Sequence, residues 1–151
     1  MIRFSNALVI NRPVEEVFEF IADFENMPKW NYFVVSVRKV TAGPISIGTS
    51  FDQVRKTDRQ QYEIAEYVPN HEVSVKTTLP APLLKMRFTF EDMGAATRLT
   101  DEWELETGRG PLLELLGRMK IKLAVADNLA KLKQLLETGE TRLQDGRTMK
   151  K

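Results

Sequence analysis

The stretch LKMRFTFEDMGAATRLTDEWELETGRGPLLELLGRMKIKLAVADNLAKLKQLLET, residues 84–138, changes its period once, and that change decides the fold. In its first part Leu84, Met86, Phe88 and Phe90 alternate with Lys85, Arg87, Thr89 and Glu91. After a turn at Gly94, Leu99, Asp101, Trp103 and Leu105 alternate with Arg98, Thr100, Glu102 and Glu104. A period of two predicts a hairpin with one apolar face, which must point toward the core. After Gly110 the alternation stops. Pro111–Thr138 is rich in Leu, Lys and Glu, begins with proline and is followed by Gly139, which are helix start and stop signals. Its apolar residues form two stripes: Leu112, Leu116, Met119, Leu123 and Ala126, and then Val125, Leu129, Leu132 and Leu136. Either the helix kinks or breaks near residues 117–122, with Gly117 as its weak point, or it is buried on two sides.

Upstream, short apolar runs separated by turns extend the hairpin into an antiparallel meander. They cover residues 34–41, 49–57, 60–68 and 72–79, with turns at AGPISIG, Asp58, Pro69–His71 and the Pro-Ala-Pro of residues 80–82. Ile2, Phe4, Leu8 and Ile10 place a further strand at the start. Two short helices follow it. Pro13 opens the first, whose buried stripe is Val14, Val17, Phe18 and Ile21; the second spans Asp23 to Trp30 and contains Pro28. The predicted class is α+β, a curved seven-stranded antiparallel sheet with a long C-terminal helix laid across its concave face and a cavity beside that helix. Residues 1–138 are expected to form one ligand-binding domain. Residues 139–151 read as a polar tail that adds nothing to the core.

The chain has 151 residues, 42% hydrophobic and 28% charged, enough to bury a sizeable core. A net charge of +1 argues against a nucleic-acid partner. With Cys 0 and the single histidine His71, disulfides, thiolate nucleophiles, thiolate metal sites and paired imidazoles are excluded. There is no glycine-rich phosphate loop, nucleophile elbow or carboxylate metal motif, so neither metal nor cofactor is expected. The N-terminus lacks a secretory pattern and no apolar run reaches the ~20 residues of a membrane span, which points to the cytoplasm.

The order of elements, together with INRPVEEVFEFIADFENMPKW (10–30), GPISIGTSF (43–51), YEIAEYVPN (62–70), GAAT (94–97) and LAKLKQLLE (129–137), resembles the START / birch-pollen-allergen-like (SRPBCC) superfamily. Within it the chain is similar to small bacterial polyketide cyclase/dehydrase-like proteins. The resemblance implies a helix-grip fold with an apolar internal pocket. It carries no catalytic residue over, because no motif here matches one. The superfamily contains hydrophobic-ligand carriers, aromatase/cyclases and receptors.

From the residues, Phe51, Tyr62, Phe88, Phe90 and Trp103 form an aromatic inner face, with Met119 and Leu123 opposite on the helix. That face is either a wall for a flat, greasy ligand or a filled core. Asp101 breaks the apolar pattern and is the candidate general acid or base; a hydrogen-bonded carboxylate without chemistry is the alternative. Glu66, Asn6, Gln53 and Arg55 share inward parity and are candidates for orienting a ligand, while His71 in a turn and Trp30 at a helix end are expected to be inert and packed, respectively. In residues 109–122 four leucines mix with Arg109, Arg118, Lys120 and Lys122, which reads as a transient membrane or partner contact or as a core helix with a solvated flank. Three functions follow: a carrier of a hydrophobic small molecule such as a lipid, polyketide or aromatic metabolite; a polyketide aromatase/cyclase or dehydratase using a cavity carboxylate; or a protein-interaction module.

Overall fold

The computed structural model describes residues 1–79 and 84–151; the Pro-Ala-Pro turn lies outside them. The strands are β1 (Ile2–Ile10), β2 (Val34–Lys39), β3 (Ser50–Arg55), β4 (Arg59–Val68), β5 (Glu72–Leu79), β6 (Leu84–Asp92) and β7 (Thr97–Leu105). They make one antiparallel sheet in the order β1-β7-β6-β5-β4-β3-β2. The meander pairs each strand with its successor, and β1 closes onto β7 with Phe4 opposite Trp103 and Asn6 opposite Asp101. The helix α1 (Val14–Ala22) and a 3-10 turn (Phe24–Lys29) carry the chain from one sheet edge to the other. Pro28 is tolerated because that second helix is a short 3-10 segment, started by the Asp23 carboxylate accepting from the Glu25 N–H at 3.2 Å.

Inward parity follows the sequence where the ladder is regular. Leu84, Met86, Phe88 and Phe90 are all buried. Where a bulge intervenes, parity flips. The register of β4 against β5 shifts between Ile64 and Glu66, so Glu66 faces solvent and Tyr67 turns inward onto Phe18, their rings 5.4 Å apart. Glu66 therefore has no place on the inner face.

The long helix α2 (Pro111–Thr138) is continuous, without a break at Gly117. Only one of its two stripes is buried. Val125, Leu129, Leu132, Leu135 and Leu136 face the core, each fully buried leucine contributing about 1.5–3 kcal/mol. Leu112, Leu116, Met119 and Leu123 lie on the opposite side of the cylinder and are exposed. Neither of the sequence-based explanations, kink or two-sided burial, accounts for the pattern; half of the apolar surface is simply unpartnered. The helix is tied to β1 by Asn6, whose Nδ2 donates to the Lys122 carbonyl at 3.3 Å, and by Lys133, whose Nζ donates to the Val9 carbonyl at 2.6 Å.

Residues beyond α2 do contribute to the core. Strands β8 (Glu140–Arg142) and β9 (Thr148–Lys150) form a hairpin against the end of the helix. Leu143 and Thr141 are buried, Thr141 Oγ1 donates to Gln134 Oε1 at 2.7 Å, and Gln144 Nε2 donates to Asn128 Oδ1 at 3.2 Å. A tail with few apolar residues escapes pattern reading because a single leucine anchors it.

Candidate functional site

The concave face is divided between two kinds of packing. At one end α1 and the 3-10 turn plug the sheet with aromatic rings. Phe24 packs against Phe51 at 5.5 Å, Tyr62 at 5.7 Å and Phe88 at 6.5 Å, and Phe18 meets Phe90 at 5.1 Å. At the other end the sheet and α2 stand apart and enclose a cavity of ≈ 360 Å³. This lies near the lower limit of the ~300–1,000 Å³ typical of small-molecule sites.

The cavity floor is built by inward residues of four strands: Tyr62 from β4, Val75 and Thr77 from β5, Leu84 and Met86 from β6, and Trp103 and Leu105 from β7. Ile121, Ala124, Val125 and Asn128 of α2 form its roof. Met27, Asn31 and Val34, together with Gln53, Arg55, Lys56, Asp58 and Gln60 around the β3–β4 turn, complete the lining, Val34 pairing directly with Arg55.

Of the residues singled out in the sequence, Tyr62 and Trp103 line this cavity, and so do two of the ligand-orienting candidates, Gln53 and Arg55; Asn6 and Glu66 do not. Phe51, Phe88 and Phe90 do not: they are buried beneath the aromatic plug, because the helices after β1 occupy that end of the sheet. Met119 and Leu123 also stand outside it, 58% and 67% exposed, because the stripe set by Leu129, Leu132 and Leu136 turns them away. Met27, Val75, Met86, Ile121 and Val125 are the apolar wall that aromatic counting passes over. Met86, Leu105 and Val75 were findable by strand parity alone. His71 is exposed in its turn and Trp30 is buried in the core.

Asp101 is 2% exposed and is not part of the cavity lining. Its Oδ2 accepts from the Trp103 indole Nε1 at 3.0 Å, while Oδ1 has no partner among the described residues. Trp103 in turn stacks on Phe4 at 5.5 Å, so the carboxyl fixes a ring that lines the cavity and touches the site only through it. Burial pushes the Asp101 carboxyl up to about 7; the indole hydrogen bond opposes this and the Glu102 charge adds to it. The folded chain thus keeps a proton that the unfolded chain releases near 3.8. Stability must fall as pH rises between those values, and the whole cost stands above the higher one. Asp101→Asn keeps the acceptor for Trp103 and removes the charge. It is expected to match the parent near pH 4 and to exceed it at pH 8 by on the order of 3 kcal/mol, read from urea unfolding at the two pH values. An identical difference at both pH values would show that the carboxyl is not desolvated.

The other polar groups at the cavity are mostly satisfied internally. Thr77 Oγ1 accepts from the Leu84 N–H at 2.9 Å. Asn128 Nδ2 donates to Asn31 Oδ1 at 3.2 Å, and Arg55 pairs with Asp58 at 2.7 Å across the partly exposed β3–β4 turn. At the mouth Lys56 Nζ sits 3.5 Å above the Tyr32 ring. Among the described residues no cluster of three His, Cys, Asp or Glu side chains could hold a metal ion, and no helix is long and apolar enough to cross a membrane.

A family model described as polyketide cyclase / dehydrase and lipid transport matches residues 1–137. Comparison with curated protein sequences finds no significant match. Several solved structures share the fold. A START superfamily protein from Mycobacterium smegmatis is 18% identical, with a TM-score of 0.64 over 88% of this chain and 98% of that one. The Aha1 dimer from Colwellia psychrerythraea is 15% identical, with a TM-score of 0.67 over 92% and 98%. The di-domain ARO/CYC StfQ of the steffimycin biosynthetic pathway is 15% identical, with a TM-score of 0.66 over 89% of this chain but 44% of its own length. At these identities the likeness establishes the helix-grip, START-like fold and leaves the activity to be argued from the site.

Proposed function

The chain belongs to the polyketide cyclase / dehydrase and lipid transport family, and from that premise we propose that it binds and carries a hydrophobic small molecule in the cavity between α2 and the sheet. The observation that carries this reading is the cavity itself: ≈ 360 Å³ walled by Met27, Val75, Met86, Trp103, Leu105, Ile121 and Val125. Filling such a space with apolar atoms is favourable, because close-packed interiors rarely leave voids of this size. Binding is preferred over cyclase or dehydratase chemistry because the carboxyls near the cavity are poorly placed for proton transfer. Asp101 stands behind Trp103, and Arg55 and Asp58 neutralise each other at the mouth. Mass spectrometry of molecules extracted from the purified protein tests the proposal. A recurrent apolar compound at near-equimolar amount is expected; protein that carries nothing and takes up no apolar probe would refute it.

The exposed face of α2 favours a second element of the same reading, docking on an anionic lipid surface from which the ligand is loaded. Leu112, Leu113, Leu116, Met119 and Leu123 are all more than half exposed on the helix that roofs the cavity. Over residues 109–124 the cations Arg109, Arg118, Lys120 and Lys122 face the single acid Glu114, in a chain whose overall charge is only +1. Lysines bordering an apolar stripe suit an interfacial helix, each adding about 1 kcal/mol at an anionic surface. Pairing two copies through this face would instead bring like charges together. The chain is expected to co-sediment with phosphatidylserine/phosphatidylcholine vesicles and not with phosphatidylcholine alone, and Leu116→Gln with Leu123→Gln to weaken this at least tenfold. No binding to anionic vesicles, or a dimer dissolved by the same pair, would rule the docking out.

A further inference from the structure

Among the described residues, two side chains of the cavity wall carry buried polar atoms without a partner. The Tyr62 hydroxyl and Gln53 Oε1 are buried and unbonded, whereas Thr77, Asn128 and Arg55 at the same cavity are satisfied within the protein. Both belong to one corner. Gln53 pairs with Gln60 and Phe51 with Tyr62 across the β3–β4 ladder, so Gln53 and Tyr62 are diagonal inward neighbours, with backbones about 7–8 Å apart. Their capacities are complementary. The Tyr62 ring is held by stacking on Phe51, and burial pushes its phenol above the ordinary range, so it stays protonated and donates. The Gln53 amide donates through Nε2 to Gln60 Oε1 at 3.5 Å, leaving Oε1 to accept. Its terminal torsion is soft, so the amide can turn toward a guest.

Resting on the cavity-binding reading above, we infer that the ligand is an apolar molecule bearing one neutral hydroxyl, which accepts from Tyr62 and donates to Gln53 while the rest of its frame lies against Met86, Trp103 and Val125. A hydroxyl is the smallest group that satisfies both partners at once. A hydrocarbon leaves both unsatisfied. A carboxylate would place its lone pairs against Gln53 Oε1 and lose its hydration at the same time.

The test compares 2-naphthol with 2-methylnaphthalene, which exchanges hydroxyl for methyl at nearly constant shape, in the parent, Tyr62→Phe and Gln53→Met proteins. The parent is expected to bind 2-naphthol at least tenfold more tightly. Each substitution should bring the ratio to about one or below, with an unchanged far-UV circular dichroism spectrum and a cooperative thermal transition showing that the variants are folded. Equal affinity for the two probes in the parent would overturn the hydroxyl inference and leave cavity binding standing, as would a preference that both variants keep; this is also the outcome if Tyr62 and Gln53 satisfy each other in solution. If neither probe binds any of the three proteins, the cavity-binding reading falls, and this inference with it.

Discussion

Ala124→Phe is expected to lower the affinity for a neutral apolar probe such as N-phenyl-1-naphthylamine at least 100-fold while the melting temperature changes by only a few degrees. Ala124 lies in the roof of the cavity, half-buried, on the part of α2 where no side chain before Val125 is fully buried. A phenyl ring added there reaches into the space a ligand would fill. The substitution costs less than about 0.7 kcal/mol in helix propensity. It does not overpack the core, because the fully buried leucines that anchor α2 begin only at Leu129. Probe titration by fluorescence and thermal unfolding of the same samples check the two halves. Affinity within threefold of the parent would mean that apolar ligands bind elsewhere.

Phe88→Ala is expected to act in the opposite way, removing about 3–5 kcal/mol of stability and altering cavity binding little. Phe88 is 0% exposed, pairs with Val73 and Asp101 across the ladders and touches Phe24 from the 3-10 turn. Its ring belongs to the plug that joins the helical segment to the sheet, so truncation leaves a void among fully buried aromatic rings. Against a net stability of ~5–15 kcal/mol this is a large fraction. Urea unfolding gives the change directly. A variant that keeps its stability but loses probe affinity would place Phe88 on the ligand wall, the role the alternation of β6 suggests when it is read alone.

That contrast shows how much of the molecule is written in local pattern. Period-two alternation in β6 and β7 and the proline-to-glycine bounds of α2 give the sheet, its inner face and the covering helix. What they leave open is which part of the inner face is covered by what. Phe51, Phe88 and Phe90 share inward parity with Tyr62 and Trp103, yet the first three lie under α1 and the 3-10 turn and the last two border open space. That division depends on where a helical segment distant in sequence comes to rest, and alternation carries no information about it. The two apolar stripes of α2 are equally ambiguous in sequence: Leu129 and Leu123 are both leucine, and only the tertiary packing makes one buried and the other exposed. Glu66 escaped for a local reason, a bulge that no residue type announces. Asp101 was legible as an anomaly, but its attachment to Trp103 two residues away on the same strand was not.

The most direct test of cavity binding is methyl-resolved NMR of the protein with 2-methylnaphthalene. The cavity predicts intermolecular NOEs from the ligand to the methyl groups of Met86, Ile121 and Val125, saturating at one ligand per chain. NOEs confined to Leu116, Met119 and Leu123, the exposed side of the same helix, would contradict it.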